Sequence, residues 1–161
     1  YAAASTIPYT GGSTYTFEFD VNIATQTYTA WVTPRGGNKI LVGLNFAFRS
    51  TAAASTLNTL SLYAQVGTNN VCGFAVNTTT PSCESASTTW SNTSLASEAT
   101  IFTAVFTATS SANDINTVMG LSDGPHEAYT SLSAIARFNP TGYIDAYNGS
   151  SYHHSPPMYL V

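Results

Sequence analysis

The chain is short of charge. Asp, Glu, Lys and Arg make up 7% of its 161 residues, against roughly 25% in an ordinary soluble domain. Four Lys/Arg against eight Asp/Glu leave a net charge of −4. So few cations cannot neutralise a nucleic-acid backbone, and the same scarcity argues against anionic membrane surfaces. Nowhere does an apolar run approach the ~20 residues of a membrane-spanning helix. The two cysteines are too few for a Cys-based zinc site. Helical periodicity is almost missing as well.

Hydroxyls take the place of charge. Ser and Thr exceed a quarter of the chain, while hydrophobic residues hold 43%, enough for a packed core. Period-two alternation runs throughout. "TYTFEFDVNI" sends Tyr15, Phe17, Phe19, Val21 and Ile23 inward; "TQTYTAWV" follows after a short polar turn, and "LNTLSLYAQV" repeats the pattern with Leu60, Leu62, Ala64 and Val66. Further strands fit "KILVGLNFAFRS", "TIFTAVFTAT", "NTVMGLS", "LSAIARFN", "GYIDAYN" and "PMYLV". About ten short strands joined by Gly/Pro/Asn-rich turns predict an all-β fold, an antiparallel β-sandwich of jelly-roll type. Residues 1–161 read as one domain, with 77–98 a long Ser/Thr-rich loop joining two halves. The chain opens on Tyr1, which reads as a processed product or a fragment.

Secretion is the expectation. Cys72 and Cys83 in "CGFAVNTTTPSC" can close a small loop rich in turn residues; a disulfide is the preferred reading, with two buried thiols as the alternative. Asn77, Asn92 and Asn148 each open an N-x-S/T sequon, so glycosylation is expected there.

Two long stretches resemble the halves of a concanavalin A-like (laminin-G-like) jelly-roll module of secreted, polysaccharide-associated proteins. "FTAVFTATSSANDINTVMGLSDGPHEAYTSLSAIARFNPTGYIDAYNGSSY" (102–152) is similar to the first half, and "IPYTGGSTYTFEFDVNIATQTYTAWVTPRGGNKILVGLNFAFRS" (7–50), continuing to 76, to the second. The halves stand in swapped order, as in a circular permutation or a cut across tandem modules. Tyr1 to Tyr9 and Tyr152 to Tyr159 both suit the strand that follows "NGSS", an overlap that would permit strand exchange between copies.

The resemblance implies folds that also host glycosidases and lyases, so carboxylate pairs matter. Glu18 and Asp20 share one strand face and would be the acid and nucleophile of a small polysaccharide-cleaving enzyme, but no companion carboxylate follows in "EFDVNI". No G-x-S-x-G occurs, and adjacent His153 and His154 would point to opposite faces of a strand. Calcium is the cation the chain suits best, on Asp123 and Glu127 in "LSDGPHEAY".

Binding is the stronger expectation. Sugar rings stack on aromatics while carboxylates and hydroxyls take the sugar hydroxyls. In a hairpin closed by "NIATQT", Glu18 faces Trp31 and Asp20 faces Thr29, a glycan platform unless 77–98 roofs it. Tyr143, Asp145 and Tyr147 form a second outward stripe, and Trp90 is a lid or packing residue. The sequence therefore predicts a secreted, non-catalytic carbohydrate-binding module or lectin. Its partners would be glycans, neither nucleic acid nor membrane, with calcium as the one cofactor in view. The alternatives are a filament-forming extracellular protein that assembles as a homo-oligomer by strand exchange, and the enzyme above.

Overall fold

A computed structural model describes residues 6–49, 52–76, 78–79 and 82–153, with 78–79 described by their backbone alone. In chain order the strands are β1 (Ile7–Pro8), β2 (Thr14–Asn22), β3 (Thr27–Pro34), β4 (Ile40–Ala47), β5 (Leu57–Val66), β6 (Asn69–Val76) and β7 (Thr78–Thr79). They continue with β8 (Cys83–Ala86), β9 (Ser91–Glu98), β10 (Ile101–Ser110), β11 (Asn116–Ser122), β12 (Ala134–Phe138), β13 (Tyr143–Tyr147) and β14 (Tyr152–His153). A 3-10 turn at Tyr129–Ser131 lies between β11 and β12.

The strands form two antiparallel sheets. Sheet A has the order β1-β13-β12-β11-β5-β9, with β14 also on β13; sheet B has the order β4-β3-β2-β10-β6-β7, with β8 also on β6. The protein is thus the all-β antiparallel sandwich that the alternation predicts. Strand β2 shows why: every second residue is buried over Thr14–Asn22, so one register satisfies the core and the surface together. Phe17 packs on Phe106 within sheet B and meets Phe138 of sheet A edge-on, with centroids 5.4 and 5.6 Å apart. One apolar core thereby joins the two sheets.

Tyr28 ties the layers more specifically. Its fully buried ring crosses the core from β3, and its hydroxyl hydrogen lies between the carbonyls of Ile135 (2.9 Å) and Tyr147 (2.6 Å). The same oxygen accepts from the Tyr147 N–H at 3.1 Å. The 23–26 turn is held by its own side chain: Gln26 sits at φ 54°, and its amide bonds the Ile23 carbonyl and both backbone groups of Ala54.

Two expectations are corrected. Segment 77–98, predicted as a long loop, carries β7, β8 and β9. Strand β8 is drawn onto β6 by the Cys72–Cys83 disulfide, whose two residues face each other across the ladder. Strand β9 pairs with β5, and its small hydroxyl side chains hide the alternation because neither face is strongly apolar. Val66, predicted inward, is 53% exposed at the frayed end of β5, where the ladder to β11 shifts register.

Candidate functional site

The predicted hairpin register is observed: Glu18 faces Trp31, and Asp20 faces Thr29. Segment 83–98 extends the sheet edges, so it does not roof this face. The polar groups here satisfy one another. The indole N–H of Trp31 donates to Asp20 Oδ2 at 3.0 Å, and the Thr103 hydroxyl donates to Oδ1 at 2.9 Å. Lys39 pairs with Glu18 and stands over the Trp31 ring, 4.7 Å from its centre. Thr29 is buried and accepts from the Asn45 N–H, where β4 bulges and Asn45 adopts φ 51°. Beside them runs an open groove of about 500 Å³ between Asp20, Asn22, Thr27, Asn45 and the 74% exposed Ile101. Trp31 is not among its walls.

The outer face of sheet A is built differently. The ladder registers set Tyr63, Val118, Arg137 and Asp145 side by side across β5, β11, β12 and β13. Segment 123–133 folds over part of this row. Leu132 lies so close to Gly120 that a Cβ there would sit 2.9 Å from Leu132 Cδ1, so the missing side chain is what lets the cover close. Tyr129 then stands against Tyr63 and Trp90, with centroids 5.4 Å from each, while Tyr63 and Trp90 stack at 4.9 Å. Across the face Tyr147 meets Tyr152 edge-on at 5.1 Å.

Two arginines complete the site. Arg137 makes a bidentate pair with Asp145, Nε to Oδ1 at 2.9 Å and Nη2 to Oδ2 at 2.8 Å, and lies 3.7 Å over the Tyr152 ring. Arg49 lies 3.8 Å over the Tyr147 ring. Between them is a pocket of about 260 Å³ lined by Arg49, Gln65, Asn116, Val118, Tyr129, Arg137 and Tyr152. Burial pushes the Tyr152 phenol up to about 12 against the opposing pull of the two arginines. Tyr129 is raised for the same first reason. Burial disfavours the Arg137 cation, but hydrogen bonding and charge from Asp145 outweigh it and raise its value.

Of the predicted second stripe, Tyr147 belongs to this cluster and Tyr143 stands at its β1 end, paired with Pro8. Asp145 is 1% exposed and also accepts from Asn139 Nδ2 at 2.9 Å, so it holds Arg137 and is closed to a ligand. The alternation already turned Tyr63 outward. Arg49, Arg137 and Tyr129 were missed; their signal in the sequence was the rarity of cations and the number of tyrosines around them.

The other predicted sites fare unevenly. Asp123 Oδ1 accepts from the His126 ring Nε2 at 2.8 Å, and among the described residues no three His, Cys, Asp or Glu side chains converge to hold a metal. Glu127 joins no such group. Asn92 lies on β9 with its amide bound to Ser61 and to the backbone of His126. Asn148 caps its own turn, accepting from the backbone N–H of Ser150 and Ser151. Both sequons are therefore already in structural use. Asn77 and His154 lie outside the described residues.

Fold and site together define an all-β sandwich with an aromatic, arginine-lined pocket on one outer face. No family model, curated protein or solved structure matches the chain.

Proposed function

We propose that the protein is a secreted, non-catalytic carbohydrate-binding module whose site is the sheet A pocket. The observation that carries this reading is a pocket in which Tyr129 and Tyr152 stand beside Arg49, Arg137, Gln65 and Asn116, backed by Tyr63, Trp90 and Tyr147, which pack on the same apolar cluster. Ligand pockets of this kind fix orientation with few polar groups and gain affinity from apolar and aromatic walls. The disulfide suits an oxidising compartment, and the resemblance to concanavalin A-like modules points the same way. Glu18 and Asp20 are engaged by Lys39, Trp31 and Thr103, which favours binding over hydrolysis. A glycan array tests the reading: saccharides should be retained, and Tyr129→Ala should weaken retention at least tenfold with the fold intact. No retention at high protein concentration, or no change in the variant, overturns it.

A second reading has its own observation. Strands β1 and β14, from opposite ends of the chain, share one edge of β13: Ile7 and Pro8 pair with Ile144 and Tyr143, while His153 and Tyr152 pair with Ala146 and Tyr147. Continued by two residues, each register would reach a β13 position the other already occupies. That geometry suits exchange of one strand for the same strand of another copy. Concentration-dependent oligomers in light scattering, lost on removing residues 1–8, are the expected result; a monodisperse monomer at high concentration overturns this assembly.

A further inference from the structure

Only four Lys and Arg residues occur in the chain, whose net charge is −4, yet two of them line this one pocket. Their charges are not equivalent. Arg137 is neutralised by Asp145 through two hydrogen bonds. Arg49 has no carboxylate within ion-pair distance among the described residues, and its buried Nε has no hydrogen-bond partner. A buried donor on a charged group is costly when left unmade. Among the described residues the pocket thus holds one uncompensated, partly desolvated guanidinium, which stacks on Tyr147.

Building on the carbohydrate-binding reading, we propose that the pocket takes a sugar acid, with the ligand's carboxylate on Arg49 and its ring against Val118 and Tyr129. A planar guanidinium held by stacking matches a carboxylate fork to fork, and little entropy remains to be lost on binding. The amides fit the rest of such a ligand. Asn116 Nδ2 donates to Gln65 Oε1 at 2.8 Å, which leaves Gln65 Nε2 as a donor and Asn116 Oδ1 as an acceptor for ring hydroxyls. A densely sulfated polymer fits worse, because Arg35 and Lys39 stand on sheet B or its 35–39 turn and Lys39 is already paired. One free cation selects one acidic group.

Calorimetry on the whole chain tests the assignment with galacturonate-, glucuronate- and sialate-terminated oligosaccharides, each against its methyl-esterified form. At least one acid form should bind ten times or more tighter than its ester, and the difference should shrink several-fold between 0.05 and 0.5 M NaCl. Arg49→Met, which keeps a flexible apolar stem over Tyr147, should abolish the preference while leaving the weaker affinity for the ester. Arg49→Lys should retain only part of it; this variant, with the wild-type salt dependence, decides the matter if the Met variant does not fold. Equal affinity for acid and ester, or a preference that survives Arg49→Met, overturns the sugar-acid assignment and leaves the carbohydrate reading standing. Binding of neither form overturns the assignment, and when the glycan array is also blank both fall.

Discussion

The two outer faces of this sandwich obey one alternation rule and end in different states. On sheet B the outward side chains are mostly threonines and a few charges that satisfy one another: Trp31 with Asp20, Thr103 with Asp20, Lys39 with Glu18. The groove beside it, of about 500 Å³, has Asp20, Thr27, Asn45 and Ile101 in its walls but not Trp31. On sheet A, segment 123–133 lies across the strands and brings Tyr129 and Leu132 onto the row of Tyr63, Val118 and Arg137. The same kind of outward aromatic then becomes part of a pocket wall, as Tyr129 and Tyr152 do. An aromatic on a sheet face is a platform only where a connection builds the second wall.

Three changes test how far that contrast holds. The largest effect is expected from Asp145→Ala. It removes the carboxylate that Arg137 and Asn139 share and leaves a guanidinium with a 22% exposed side chain unpaired. Loss of a buried partner of this kind costs about 3 kcal/mol, or a melting temperature roughly 6–12 °C lower for a domain of this size. A melting curve within 2 °C of wild type would show that the ion pair does not organise the sheet A face.

Tyr28→Phe should come next. It deletes the tie that runs from sheet B to the backbone of Ile135 and Tyr147, and about 1–3 kcal/mol is expected for the carbonyls and N–H left behind. Burial raises the phenol's titration above its usual range. A group whose folded value is raised gives stability that is complete below about pH 10, where the unfolded chain also keeps its proton, and that is lost as pH climbs toward the folded value. Tyr9, pushed up to about 12 chiefly by burial, adds to the same decline. Urea titrations from pH 8 to 11.5 should therefore show the variant less stable at pH 8 but falling less steeply above pH 10. Parallel curves would mean that Tyr28 ionises as freely in the fold as in the unfolded chain.

The smallest effect belongs to sheet B. Glu18→Gln breaks an ion pair whose side chains are 27% and 44% exposed, and such pairs are worth less than about 1 kcal/mol. Stability should shift by a few tenths of a kcal/mol in denaturant titration, and glycan retention should not change. A tenfold loss of retention would move the binding site to the face of Trp31.

How much of this could be read from residues alone differs by element. The β2–β3 hairpin was fully legible, down to Glu18 opposite Trp31, because a short polar turn and a strict inward series leave one register open. The disulfide was legible because its cysteines stand only 11 positions apart and turn chemistry fills the interval. Strand β9 was not, since Ser, Asn and Thr on both faces give alternation no contrast. Trp31 drew attention as the odd aromatic on a hydroxyl face, whereas Trp90, in what read as a loop, proved to stack on Tyr63 in the aromatic cluster of sheet A.

By itself, the sequence determined the class of fold, the inward residues of the long strands and the scarcity of charge. These are local or compositional properties, set by a two-residue period and by counting. Only the tertiary structure decided which outer face sets aromatics into a pocket wall, that Asp145 is spent on Arg137, and that Arg49 meets no carboxylate among the described residues. Those facts depend on residues 49, 129, 137 and 147 meeting in space. They come from separate strands and a connecting turn, and no period along the chain records which segments the core brings together.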